Sequence, residues 1–269
     1  MWVIRAGKAA YVLPAFFVGA GEYMRVSRLY VDMPLVVLEA IELDEDCAHY
    51  VRTVLRLKKG YLVVLFNGQG GEYQAEIVEV SRKQVLVQVL SFVKRDVESP
   101  LQVVLGLGVS RGERMDFAVQ KSVELGVANI TPLSTDHCVV QLKGDKESNK
   151  IRHWQKISQH ASEQSGRTVM PAIEAVESLI NWVEQQSGLK VFLDPFAAHV
   201  LQDLKTEDNT VTLLAGPEGG FSEQEREIAK QAGFIPVRLG PRVLRTETAA
   251  LSALTAVQVL WGDLGVGDA

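Results

Sequence analysis

Two stretches of the 269-residue sequence carry residue types that can bind and turn over a small ligand. The first is the Gly-rich turn Gly216-Pro217-Glu218-Gly219-Gly220. The second is Leu239-Gly240-Pro241-Arg242-Val243-Leu244-Arg245-Thr246-Glu247-Thr248, which inserts two arginines and a glutamate where an apolar helix begins. Glycines at a strand-to-helix handover let a ligand approach the backbone closely, although a purely structural turn would have the same glycine content. The turn is neither GxGxxG nor a phosphate loop. Ser222 and Glu225 after it form a capping box that satisfies the first free amides of the next helix. Glu218, Glu223 and Glu225 would also repel an anion from a helix start that otherwise attracts one. A phosphate-rich cofactor is therefore disfavoured, and a neutral or cationic ligand with an adenosine-like part fits better. Charges at the head of a buried helix are expensive unless paired, so Arg242, Arg245 and Glu247 point to a site or to pairing among themselves.

Both stretches follow short apolar runs that read as buried strands, Val211–Leu214 and Val237–Leu239, and both lead into helical periodicity. The strand-then-helix grammar starts earlier. Leu101–Gly106 reads as a strand, Glu113–Leu125 as a helix, Asn129–Leu133 as a strand and Asn149–Gln164 as a long helix. Ser178–Gln186 reads as a helix and Val191–Leu193 as a strand ending at Asp194-Pro195. Such alternation predicts a mostly parallel sheet covered on both faces, with ligand-binding loops at the strand carboxyl ends. The last helix, from about Thr248 to Trp261, is apolar on most faces and must be buried in the core or against another subunit.

From Met24 to Val93 the pattern is mainly β, with runs at Leu35–Leu38, Tyr61–Phe66, Gly71–Val80 and Gln84–Phe92. One helix, Asp44–Leu57, interrupts them, capped by Asp44 and followed by Gly60. A small barrel with one helix is expected. On that helix Arg52 and Arg56, four apart, would share a face near Lys58 and Lys59, a row able to grip phosphates or simply to be solvated. Lys94–Pro100 is charged and aperiodic, and is the expected domain boundary. Residues 1–23 resemble a signal peptide superficially, but the apolar run is too short to span a bilayer, and they are read as an extension outside the fold.

With 47% hydrophobic residues and mean hydropathy +0.07, the chain can bury two cores. A net charge of -5 argues against nonspecific coating of nucleic acid, yet allows a local basic face. The candidates are Arg25, Arg28, Arg52, Arg56, Lys58 and Lys59 in the first part, and Arg111, Arg114, Lys121, Gln164 and Arg167 in the second. Cys47 and Cys138 have no CxxC or zinc spacing, so a reducing cytoplasm is favoured. None of the five histidines has metal spacing, so no metal is assigned, and no serine sits in a G-x-S-x-G context.

GPEGGFSEQE followed by LGPRVLRTETAALSALTAVQ closely resembles the RsmE family, uridine methyltransferases of 16S ribosomal RNA in the SPOUT class. The likeness runs from Met24 through MRVSRLY, VRTVLRLKKG, SRGERMDFAVQKSVELGV and WQKISQHASEQSGR to the carboxyl terminus. The resemblance implies a PUA-like RNA-binding barrel (24–93) and a SPOUT α/β methyltransferase domain (101–265) whose loops form a trefoil knot, a rare topology. It implies S-adenosylmethionine as cofactor, a homodimer, and small-subunit ribosomal RNA as partner. Carried over by position, Leu193, Asp194, Pro195, Gly216, Pro217, Glu218, Gly219, Gly220, Leu239, Gly240, Leu244, Arg245, Thr248 and Ala249 would line the cofactor pocket. The implied reaction is methyl transfer to ring nitrogen 3 of a flipped uridine. Arg245 would hold the anionic base, and Glu247 would orient it or accept the proton. The alternative is an RNA-binding ribosome-assembly protein of the same fold without turnover.

Overall fold

In the computed structural model residues 15–18, 22–140 and 142–265 are described, and the chain divides into two compact units between Asp96 and Val97. Among the described residues no helix is long and apolar enough to cross a membrane. Of the segment expected to lie outside the fold, residues 1–14 and 19–21 are outside the described ones. Strands β1 (Ala15–Val18) and β2 (Glu22–Arg25) make an antiparallel pair of their own.

The first unit is built on a five-stranded sheet. Its strands are β3 (Ser27–Tyr30), β4 (Ala40–Glu42), β5 (Leu62–Phe66), β6 (Glu72–Val80) and β7 (Val85–Val93), in the order β3-β5-β6-β7-β4. β3 runs parallel to β5 and the other pairs are antiparallel. Val85, Val87 and Val89 alternate inward and are fully buried, with Leu29, Val63, Leu65, Ala75 and Ile77 around them. Two register shifts in β6–β7 add the local twist that lets so long a hairpin wrap this core.

Three expectations for this unit need correction. Leu35–Leu38 is a turn and not a strand: Glu39 N bonds back to Val36 O, and Leu38 sits at φ 72. The helix expected over Asp44–Leu57 is split. Asp44 caps it by accepting from Cys47 N at 2.7 Å, but α1 spans only Glu45–His49 before a π-helical turn, Tyr50–Val54. β-branched Val51, Thr53 and Val54 fall together there, where their stiff side chains disfavour a regular helix. Arg52 and Arg56 consequently share no helix face. Arg52 donates to Ser81 O, and Arg56 lies past the last turn at φ 53, exposed with Lys58 and Lys59. Arg28, finally, is no surface contact for RNA. It is buried, paired with Glu72 and stacked over the Phe66 ring at 5.1 Å, while Arg95 shares the Glu72 carboxylate.

The second unit is a parallel α/β layer. Its elements are β8 (Gln102–Gly108), α2 (Glu113–Glu124), β9 (Asn129–Ser134), α3 (Asp145–Ser165), β10 (Ala172–Ile173), β11 (Glu177–Ser178), α4 (Leu179–Glu184), β12 (Leu189–Leu193), β13 (Thr210–Ala215), α5 (Glu223–Gln231), β14 (Ile235–Val237) and α6 (Thr246–Trp261). Every pairing is parallel, in the order β10-β9-β8-β13-β12-β14 with β11 also beside β9. Side chains from α2, α3 and α6 (Val119, Trp154, Leu254, Val257) join one core with β8 and β13. Leu179, Trp182 and Ala229 of α4 and α5 join another with Phe192 and Leu214. Strands buried on both faces explain the uninterrupted apolar runs. Gly106 permits the second contact, since a Cβ there would meet the Trp182 ring at 2.4 Å.

β14 lies on the far side of β12 from β13, so the chain doubles back across its own sheet before α6 returns to pack on β13, β12 and α2. α6 is fastened by one polar residue: fully buried Gln258 accepts from Ser99 Oγ at 2.7 Å and donates to Leu125 O and Gly126 O. Arg167, expected to meet RNA, is buried as well. It donates to Val123 O and Val127 O and to the Glu98 carboxylate, closing the end of α2 against the segment after α3. Removing one member of such a pair strands the other charge away from water. Glu98→Ala is expected to cost about 3 kcal/mol, read as a lowered denaturant midpoint for the second unit.

Candidate active site

Because β12, β13 and β14 are adjacent and parallel, the loops leaving their carboxyl ends converge. Between them lies a cavity of about 510 Å³, walled by Leu193–Phe196, Ala215–Phe221, Leu239, Arg242–Thr246 and Ala249, with Arg114, Arg226 and Val237. Of the fourteen positions expected to line a cofactor pocket, twelve lie on the wall of this cavity: Leu193, Asp194, Pro195, Gly216, Pro217, Glu218, Gly219, Gly220, Leu239, Leu244, Arg245 and Ala249. Gly240 and Thr248 do not. Gly240 serves the turn itself, at φ 77. Thr248 is exposed on the first turn of α6, where Arg245 and Ala249, four apart, present the cavity face and Thr248 is turned away from it.

Each of these loops is held by identifiable contacts. At the end of β8, a Cβ on Gly108 would lie 2.4 Å from Pro217 N, so only glycine lets the sheet reach the turn. Gly220 closes the turn at φ 68 by donating to Pro217 O at 2.9 Å. Ser222 caps α5 by accepting from Glu225 N at 3.2 Å, and Ser222 N in turn donates to the Glu225 carboxylate at 2.9 Å. The segment after β9 grips the same place from outside. Asp136 N donates to Glu225, Ser222 Oγ donates to Asp136 at 2.6 Å, and His137 Nδ1 lies 3.0 Å from Gly219 O.

Glu218 faces the head of α2, accepting from Arg111 N at 3.1 Å with Arg114 at 3.4 Å. Burial pushes its carboxyl up, but bonds from the Glu218 and Arg111 amides, together with Arg114 and Ser110, outweigh burial and hold it below the usual carboxylate range. Across the cavity, Arg226 Nη1 pairs with Asp194 at 2.5 Å and its Nε donates to Phe221 O, tying the loop after β12 to the loop after β13. Sequence reasoning missed Arg226, Phe196, Phe221 and Thr246. Arg226 and Asp194 are 32 positions apart, and only the parallel pairing of β12 with β13 brings them together.

The two residues singled out for catalysis separate. Arg245 is the N-cap of α6 with no side-chain cap bond, exposed on the cavity wall, and it makes no ion pair among the described residues. Glu247 is not on the cavity wall, and its Oε2 is buried without a hydrogen-bond partner among the described residues. Two positions along the helix turn a side chain through about 200°, which is why it leaves the face that Arg245 occupies. Of the basic residues expected to meet RNA, Arg111 and Arg114 are exposed at the head of α2. Lys121 is half-buried and paired with Glu124, and Gln164 is exposed near the end of α3. The side chain of Arg25 lies outside the described residues.

A family model described as an RNA methyltransferase domain matches residues 97–258, and one described as an RNA methyltransferase PUA domain matches residues 43–90. The ribosomal RNA small subunit methyltransferase E of Buchnera aphidicola subsp. Schizaphis graminum is 38% identical over 242 residues, covering 89% of this chain and 98% of that protein. The chain belongs to the ribosomal RNA small subunit methyltransferase E family. Among solved structures, the family member of Neisseria gonorrhoeae bound to S-adenosyl methionine is 34% identical with TM-score 0.83, covering 89% of this chain and 99% of that one. A methyltransferase of Legionella pneumophila in complex with the bound cofactor SAM is 40% identical with TM-score 0.87, covering 90% and 100%. The cavity thus lies within the methyltransferase unit of this family member, and the five-stranded sheet contains the PUA match.

Gly108→Ala should displace Pro217 and lower affinity for S-adenosylmethionine at least tenfold by calorimetry, with the melting temperature little changed. A second expectation concerns acid. Because Glu218 titrates below its ordinary value, its contribution is present at neutral pH and is lost as pH falls through the lowered value. Wild-type chain should therefore melt above Glu218→Gln at pH 7, and the two should converge as pH drops below the normal carboxylate range.

Proposed function

We propose that this chain binds S-adenosylmethionine in the three-loop cavity and methylates ring nitrogen 3 of a uridine in 16S ribosomal RNA of the small subunit. The observation that carries the reading is the cavity itself. Its volume suits a nucleoside-sized ligand, yet the helix start at its edge has committed two of its donors, the Ser222 and Glu225 amides, to the capping box. A ligand with an adenosine part and no phosphates fits such a wall. S-adenosylmethionine, when bound, supplies an activated methyl group on a sulfonium cation.

The protein's part is positioning and charge. Gly216–Gly220 offers backbone at close range, Leu193, Leu239 and Leu244 offer apolar surface, and the Asp194–Arg226 pair keeps two walls at fixed separation. A neutral uridine nitrogen is a poor nucleophile until its proton is lost, here to solvent water, before the nitrogen takes the methyl group and the thioether product leaves. Arg245, at the cavity and without an internal partner, stabilises the resulting anion, the kind of preorganised charge that contributes most to such steps. Glu247 takes no step with the base in this scheme.

The five-stranded unit, taken as residues 24–93, holds RNA through Arg56, Lys58 and Lys59, and the unit from 101 to 265 carries the chemistry together with Arg111 and Arg114. Residues 1–23 take no part in either. The enzyme acts in the cytoplasm as a homodimer through α6, whose Val259 and Leu260 are exposed and whose Glu247 oxygen lacks a partner within one subunit.

Labelled S-adenosylmethionine incubated with small-subunit particles or naked 16S RNA, followed by mass mapping, tests this. Transfer to one uridine at ring nitrogen 3 is expected; cofactor binding without transfer to any RNA would contradict it. Arg245→Ala should lower kcat by about 100-fold while changing cofactor affinity little, and an unchanged rate would reject its role.

A further inference from the structure

Apolar side chains held in water mark a surface that expects a ligand. Among the described residues the three most exposed large hydrophobics are Phe196 at 82%, Leu38 at 79% and Val243 at 76%. Phe196 and Val243 both line the active-site cavity, one from the loop after β12 and the other from the loop after β14. The exposure of Phe196 is not that of a slack loop. Phe196 N donates to Asp194 Oδ1 at 3.0 Å, Ala197 N closes a turn on Asp194 O at 3.1 Å, and the other Asp194 oxygen is pinned by Arg226 at 2.5 Å. Pro195 fixes the backbone between them. An aromatic ring is thereby presented to solvent on a rigid strand end, at the mouth of a nucleoside-sized cavity.

The surroundings select the occupant. Arg242 and Arg245, on either side of Val243, line the same cavity, so this apolar lip sits between cations. A planar ring attached to a phosphate backbone matches both: the π face meets Phe196, and the phosphates meet guanidinium groups. Stacking on an aromatic is also how single-stranded or flipped bases are held. We infer that Phe196 and Val243 form the subsite for the target base, with the extruded pyrimidine stacked on Phe196 and covered by Val243 while Arg245 faces its reacting edge. Stacking positions the ring without choosing it, because every base has a π face. This inference rests on the methyl-transfer reading above.

Phe196→Ala, Phe196→Trp and Val243→Ala chains test it, with thermal melting as the control for folding, since both side chains are exposed. With RNA as the varied substrate, Phe196→Ala should raise KM at least tenfold and leave the S-adenosylmethionine dissociation constant and the sedimentation behaviour unchanged. Val243→Ala should do the same to a smaller degree, and Phe196→Trp should retain near wild-type KM. The new indole should be quenched by a uridine-containing oligonucleotide and not by one with an abasic site at that position. An unchanged KM, a loss confined to cofactor affinity, or a shift to a smaller oligomer in Phe196→Ala would each overturn the assignment. If wild-type chain transfers no methyl group, the parent reading fails by itself, and quenching of the Phe196→Trp chain by RNA still decides whether a base occupies this place.

Discussion

The turn between β13 and α5 has several of its amides already committed, those of Glu218, Gly220, Ser222 and Glu225, and the character of the site depends on that. A helix start normally offers free amides and a partial positive charge to an anion. In this chain Ser222 and Glu225 satisfy the first amides reciprocally, Asp136 holds both from outside, and Glu218 adds a carboxylate kept ionised by the amides and arginine around it. The turn is consequently rigid, acidic at its rim and unsuited to a phosphate. What it still offers is close-range backbone, which Gly108 makes possible by letting β8 reach Pro217 without a side chain between them. A cofactor bearing a cation and no phosphate is the chemical complement of such a wall.

The opposite wall has the reverse charge. Arg242 and Arg245 come from the loop after β14, whereas Arg114 stays beside the turn, paired with Glu218. The cavity thus carries carboxylates beside its glycine turn and unpaired guanidinium groups on the loop after β14, among the described residues. The crossing of the chain over β12 creates that arrangement. Without it the two loops would leave from strands on the same side of β12, and the cavity would have one wall fewer. The Asp194–Arg226 pair then fixes the span between the loops, and by holding Phe196 it also sets the posture of the cavity mouth.

Much of this was legible in the chain itself, for physical reasons that can be named. Buried parallel strands must be apolar on both faces, so Leu101–Gly106 and Val211–Leu214 mark β8 and β13 to within two residues at either end. The capping box and the glycines identify the turn through local chemistry alone. Other features depend on distant partners and were not legible. Nothing local separates Arg28 and Arg167, which are buried against Glu72 and Glu98, from the solvated Arg111. Gln258 reads as one polar break in an apolar helix, yet it fastens α6 to Ser99 and the end of α2. Arg226 lies on the helix after the Gly-rich turn, and only sheet order shows that it reaches Asp194. The face on which Glu247 falls required the true start of α6 at Thr246, two residues before the expected one.

A wall of carboxylates and committed amides should admit an adenosine ligand only when it carries no phosphates. Parallel calorimetric titrations of the full chain with S-adenosylmethionine and with adenosine triphosphate separate the two cases: saturable binding of the first and none of the second is expected at the same concentrations, and equal or tighter binding of the triphosphate would overturn this reading of the cavity.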